Sequence, residues 1–185
     1  MRPHYGLADF CGYYDTVSGF LELSEEEWLE QLQEGCRSIG RNLNDTRGLI
    51  HSFRDSRETM VRLFEDLKTL DCSGWEICFE LRIKRARYIR IYADVLVITE
   101  DKVFSLEFKM KDIVDPEEMK QTVKYSKYLD VIFGSEYEVI PALVLTKASD
   151  LYSWEPLPDS DMEIPVCSGD MLFNVFDEFL GFLEN

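Results

Sequence analysis

A mixed α/β sandwich around one central sheet is the fold class this sequence predicts, and three observations predict it. Helically spaced apolar residues fill the first third of the chain, and β-branched and aromatic residues alternate from about 76 to 110. A further helix and a wholly apolar strand follow, which is the order of a layered α/β domain. At 185 residues, 45% hydrophobic and 30% charged, the chain suits one domain with a substantial core. The expected organisation is a single domain over 1–185: a helical part at 1–70, a core at 75–146 and an extension at 147–185.

Each element has its own signal. Ser24-Glu-Glu-Glu27 is a capping box, and Leu29, Leu32, Cys36, Ile39 and Leu43 recur behind it at helical spacing, predicting a helix to about Asn44. Phe53, Met60, Phe64 and Leu67 predict a second helix from about Leu49 to Leu70, stopped by Asp71-Cys-Ser-Gly74. Glu76 to Ile83 and Tyr88 to Ile91 alternate as strands do. Asp94 to Ile98, a tight turn at Thr99-Glu-Asp-Lys102, and Val103 to Met110 complete a hairpin. Pro116 suits the first turn of a helix running to about Phe133. Tyr137 to Thr146 has the composition of a strand buried on both faces. Residues 147 to 170 read as loop with one short strand at Glu163 to Cys167, and Met171 to Leu183 as a last amphipathic helix.

Composition bounds the function classes. Five scattered cysteines without a C-x-x-C predict reduced, structural thiols rather than disulfides or zinc. His4 and His51 are the only histidines, which disfavours histidine-rich metal chemistry. No apolar run reaches the roughly 20 residues a membrane span needs, and Met1-Arg-Pro-His-Tyr5 has no signal-peptide core, so cytoplasmic residence is the expectation. The net charge of −16 opposes long-range attraction to nucleic acid; a phosphate-binding role then requires a locally basic surface, a metal ion or a delivering partner.

Glu107 and Lys109 lie two apart in a strand, so they share one face of an otherwise apolar sheet. Asp94, at the opening of the preceding strand, can lie beside them. Two carboxylates at a strand edge form an oxygen-rich site for Mg²⁺, or Mn²⁺, and a lysine there can orient a water and offset phosphate charge. The alternative is a plain surface ion pair, because an E-x-K triplet is common by chance.

Tyr92-Ala-Asp-Val-Leu-Val-Ile-Thr99 followed by Val103-Phe-Ser-Leu-Glu-Phe-Lys109 resembles the core of the PD-(D/E)XK nuclease superfamily. Gln121-Thr-Val-Lys-Tyr125 resembles the helix motif Q-x-x-x-Y of its RecB-like branch. Together with Phe20-Leu-Glu-Leu-Ser24, Phe79-Glu-Leu81, Arg90-x-x-Ala-Asp-Val-Leu96 and Val144-Leu-Thr146, the order is similar to the nuclease-like domain preceding superfamily 1 helicase motors in certain bacterial and phage proteins. The resemblance covers about residues 10 to 180 and is most specific from 76 to 146. It implies a restriction-endonuclease-like three-layer α/β/α core (αβββαβ) with a central mixed sheet, plus an extra N-terminal and a C-terminal helix. It further implies Asp94 and Glu107 as metal ligands, Lys109 as catalytic lysine, and Gln121 and Tyr125 facing the site. Glu80 matches the family's additional metal-binding glutamate best, with Glu58 as the other candidate. Ala93 stands where the family usually has proline. The chain contains no Walker A sequence, which implies a stand-alone member or a fragment.

Arg82, Lys84, Arg85, Arg87 and Arg90 place five basic residues within nine, with Tyr88 and Tyr92 interleaved, and Lys120, Lys124 and Lys127 form a second stripe on the following helix. These are the candidate nucleic-acid contacts. The expected activity is metal-dependent hydrolysis of phosphodiester bonds in DNA (or RNA), with a helicase or other DNA-processing or defence partner. Two rivals stand beside it: an inactive nuclease-fold module that binds nucleic acid or protein, and an acidic protein that mimics DNA charge.

Overall fold

The computed structural model describes residues 6–44, 46–87 and 89–182, apart from the side chains of Thr46 and Arg85. Seven strands form one sheet: β1 (Cys11–Thr16), β2 (Glu76–Arg85), β3 (Arg90–Ile98), β4 (Lys102–Lys109), β5 (Glu138–Leu145), β6 (Tyr152–Pro156) and β7 (Glu163–Ser168). Their spatial order is β1-β2-β3-β4-β5-β7-β6. β4–β5 and β5–β7 are parallel and the remaining pairs antiparallel, so the sheet is mixed. Five helices cover it: α1 (Val17–Glu22), α2 (Glu25–Ser38), α3 (Thr46–Asp66), α4 (Pro116–Phe133) and α5 (Leu172–Leu180). This is the mixed α/β architecture expected from the sequence.

Alternation along the strands sorts the core into two layers. Val95, Val97, Phe104 and Leu106 face one way and pack with Phe20, Trp28, Leu32, Phe64 and Phe176 of α1, α2, α3 and α5. Leu96, Ile98 and Val103 face the other way, against Leu129 and Phe133 of α4. Leu143 and Leu145 meet Met119 and Val123 of the same helix. Among the described residues all cysteines are free, and no helix is long and apolar enough to cross a membrane.

Several boundaries differ from the sequence reading. The capping box at Ser24 forms as expected, its hydroxyl accepting from Glu27 N–H at 3.1 Å. The helix it starts ends at Ser38, however, rather than near Asn44. Gly40 takes φ +78, and the amides of Gly40 and Arg41 return to the carbonyls of Arg37 and Cys36, which closes the helix in a Schellman motif. α3 runs earlier than expected, and β3 is one strand in which Asp94 is internal rather than at the start. β1, α1 and β6 were not foreseen at all. β6 occupies the sheet edge, where Pro156 costs no ladder hydrogen bond to a further strand. Tyr88 and Leu183 lie outside the described residues.

β1 and α2 approach so closely that neither tolerates a side chain at the contact. A Cβ on Gly12 would meet Leu32 Cδ1 at 2.7 Å and Cys36 Sγ at 2.8 Å, and a Cβ on Gly35 would collide with the Gly12 carbonyl. Gly35→Ala is therefore expected to destabilise the fold by about 2 kcal/mol or more, since backbone must move to admit it. Gly74→Ala, where a Cβ meets nothing within 4 Å, should leave the melting temperature nearly unchanged. Thermal unfolding of both variants checks this, and equal melting temperatures would refute the close packing.

Candidate active site

β3 and β4 pair from Ile98↔Val103 to Val95↔Leu106, and there their ladder stops. β3 continues against β2 and β4 against β5, so the two strands part. Side chains satisfy the backbone at the parting. Glu107 Oε1 accepts from Asp94 N–H at 3.3 Å, and Asp94 Oδ2 accepts from Phe108 N–H at 2.9 Å. Each acid thus caps the opposite strand, and the two carboxyl groups also share a hydrogen bond.

Glu80, on β2, is a third acid near enough to Asp94 for their charges to interact. It is only 6% exposed and holds φ +55, a left-handed conformation that a non-glycine residue adopts at a cost of roughly 1–3 kcal/mol. Arg41 Nε meets its Oε2 at 3.1 Å, and the same guanidinium lies over the Tyr92 ring at 4.9 Å. Arg41 had no signal in the sequence, because a helix continued through Gly40 turns it into an ordinary helical residue. The Schellman turn is what delivers it to Glu80.

The electrostatics follow from burial. Removal from water pushes the Glu80 carboxyl up to about 8, with the Asp94 charge adding to the rise and Arg41 opposing it. Asp94 is raised by burial, against the Phe108 amide, Glu107, Lys109 and Arg41, which all favour its charged form. Glu107 is raised well above the usual carboxylate range by burial and then by the charge and hydrogen bond of Asp94. Burial, followed by Glu107 and Asp94, also pushes Tyr125 up to about 12.

α4 supplies the opposite wall. Asp115 caps its N-terminus, accepting from Glu117 N–H at 2.9 Å, and Pro116 occupies its first turn. Lys111 bridges to Glu118 at 3.1 Å, which ties the end of β4 to the helix. Gln121 Nε2 donates to Tyr125 Oη at 2.9 Å, and both line an open cleft of about 560 Å³ with Lys109, Lys120 and Lys124. Lys109, Gln121 and Tyr125 thus come together at the cleft surface, with Asp94 and Glu107 beneath them. Glu58 lies elsewhere, in a separate cleft with Asp55, Thr59, Arg62 and Asp170.

The basic residues of the hairpin differ in what they touch. Arg82 donates to the Ile39 carbonyl at 2.7 Å and covers Phe10, and Lys84 donates to Tyr128 Oη at 3.1 Å. Both are engaged in holding the fold. Arg87 and Arg90 are exposed near the hairpin tip, and the Arg85 side chain lies outside the described residues. Lys120 pairs with Glu117 at 3.1 Å.

The donor set is all carboxylate oxygen, which suits a hard divalent ion such as Mg²⁺ or Mn²⁺ that takes one or two carboxylates and keeps several waters. Among the described residues no group of three or more Asp, Glu, His or Cys is gathered closely enough to enclose a metal. Asp94 and Glu107 fit as a two-carboxylate site, with Glu80 turned to Arg41. No protein-family model matches the chain, and no curated protein matches it in sequence.

An acid raised in the folded state stabilises the fold while protonated, and that stability is lost as pH climbs through the folded value. Without metal, the wild type should lose melting temperature between about 4.5 and about 8 more steeply than Glu80→Gln. A divalent ion held by Asp94 and Glu107 would expel protons, so a rise in melting temperature on adding Mn²⁺ is expected to grow with pH and to vanish in Glu107→Ala. Scanning fluorimetry across pH, with EDTA or Mn²⁺, measures both. Parallel profiles for wild type and Glu80→Gln, or an Mn²⁺ shift retained in Glu107→Ala, would count against the assigned electrostatics.

Proposed function

We propose that this chain is a metal-dependent nuclease with a restriction-endonuclease-like core, acting on phosphodiester bonds in DNA. The observation that carries the reading is the pairing of Asp94 and Glu107 across the parted strands, with Lys109 two residues further on and at the cleft surface. A buried Glu107 beside a half-buried Asp94, both with raised carboxyl values, is expensive to keep unless the pair serves a site. The strained backbone at Glu80 supports the same reading, because strain of this kind clusters at functional positions.

Asp94 and Glu107 would hold the ion, and Glu80 would join through an intervening water or after leaving Arg41. A bound Mg²⁺ or Mn²⁺ supplies a water of lowered pKa and offsets charge growing on the phosphate. Lys109 orients the attacking water and faces the phosphate, while Gln121 and Tyr125 fix the substrate against α4. The PD-(D/E)XK resemblance and a helicase or other DNA-processing partner belong to this proposal.

A second reading is an inactive module of the same fold. The −16 charge and the Arg41 hold on Glu80 favour it. Cleavage of single- and double-stranded DNA with EDTA, Mg²⁺ or Mn²⁺ separates the two. Lys109→Ala and Glu107→Ala are expected to lower the metal-dependent rate by about 10²-fold or more with the fold intact. Full activity in both variants would remove the site assignment, and no cutting by folded wild type would favour the inactive module.

A further inference from the structure

The cleft at Lys109 does not end on the near side of α4. A second groove of about 290 Å³ continues from it, sharing Lys120 and Lys124 and adding Lys127. Its far wall comes from the turn between β6 and β7, where Leu157, Pro158 and Met162 face Val123 of the helix. The groove therefore has a cationic lip and an apolar floor. Asp159 and Asp161 of that turn do not line it.

The charge at this lip is unusual for the molecule. Lys124 and Lys127 are exposed and have no ion pair among the described residues, in a chain with 36 acids against 20 lysines and arginines. Lysines that border an apolar trough in an acidic protein, and are left unneutralised by it, complement a ligand that is itself both anionic and apolar. A single nucleic-acid strand has that character, with phosphates along one side and base faces along the other. A duplex keeps its base faces stacked inside and has none to lay on Val123, Leu157 and Met162.

We infer that this groove carries a single nucleic-acid strand away from the Lys109 cleft, across α4 and over the β6–β7 turn. The inference rests on the nuclease reading and adds to it a substrate class, single-stranded nucleic acid, and a path. It also assigns a role to the C-terminal extension, whose turn forms half of the groove. A short strand fills only the first cleft, and a longer one reaches Lys127 and Met162.

Fluorescence anisotropy in EDTA, where no cutting occurs, tests this with a labelled oligothymidine tetranucleotide, a long oligothymidine and a blunt duplex. The wild type should prefer the long strand over both other ligands. Lys127→Glu should weaken the long strand about tenfold and reduce its salt slope by about one, and Met162→Asp should weaken it similarly. Tetranucleotide affinity should stay the same, and unchanged melting temperatures would exclude unfolding. Duplex preferred to single strand, equal losses for long and short strands, or no loss in either variant would overturn the path. The nuclease reading is judged separately: wild type that binds the long strand as described but never cuts it with metal keeps the groove and loses the enzyme. Metal-dependent cutting with both groove variants binding as wild type keeps the enzyme and loses the groove.

Discussion

Beyond Val95 and Leu106 the facing edges of β3 and β4 no longer pair, and two carboxylates take over the role of the ladder. A sheet that opens in its middle exposes backbone amides, and Asp94 and Glu107 satisfy one amide each across the gap. This arrangement places acids in a site too dry for them. The rest of the site responds to that imbalance: Arg41 reaches Glu80 from the end of α2, Lys109 stands at the surface, and the Gln121–Tyr125 pair closes one side. Structure and proposed chemistry meet here, because the groups that bridge the parted strands are the same groups that would hold an ion.

Much of this was legible in the sequence, and the failures have physical reasons. Glu107 and Lys109 could be placed on one face because strand periodicity fixes it, and tertiary context did not alter it. Gln121 and Tyr125 were singled out through the resemblance of their helix motif, and the structure brings both to the cleft with Lys109. β1 was hidden by Gly12, which weakens the local strand signal and is present because α2 packs almost directly on the backbone. β6 was hidden by Pro156 at its end and Pro158 just beyond, in a segment that reads as loop, and an edge strand tolerates such a proline. Arg41 was lost through one misjudged helix end: Ile39 and Leu43 continue the apolar spacing past Gly40, and spacing alone cannot reveal a left-handed glycine. The five clustered basic residues were legible as a cluster only, since the partners of Arg82 and Lys84, the Ile39 carbonyl and Tyr128, come from distant parts of the chain.

The charge balance also reads differently in three dimensions. The acidic first turn of α2 lies on the layer opposite α4. Acids nearest the cleft are paired, Glu118 with Lys111 and Glu117 with Lys120. Net charge describes the far field of the molecule, whereas a ligand in the two clefts along α4 meets Lys109, Lys124 and Lys127 on their lining.

The position of β1 sets the order in which this chain can assemble. Its hydrogen-bond partner is β2, from Cys11↔Leu81 to Thr16↔Glu76, and three helices separate the two strands in the sequence. As the chain is synthesised, the first strand has no edge to join until the eighth decade of residues has emerged. The parallel pairs β4–β5 and β5–β7 impose the same delay further along, each waiting on a crossover. Such long-range closure slows folding relative to a chain held by local contacts. In that interval the segment carrying Cys11 and Gly12 is an unpaired strand in search of a neighbour, and α2, which packs against its glycine, is the element that can shield it.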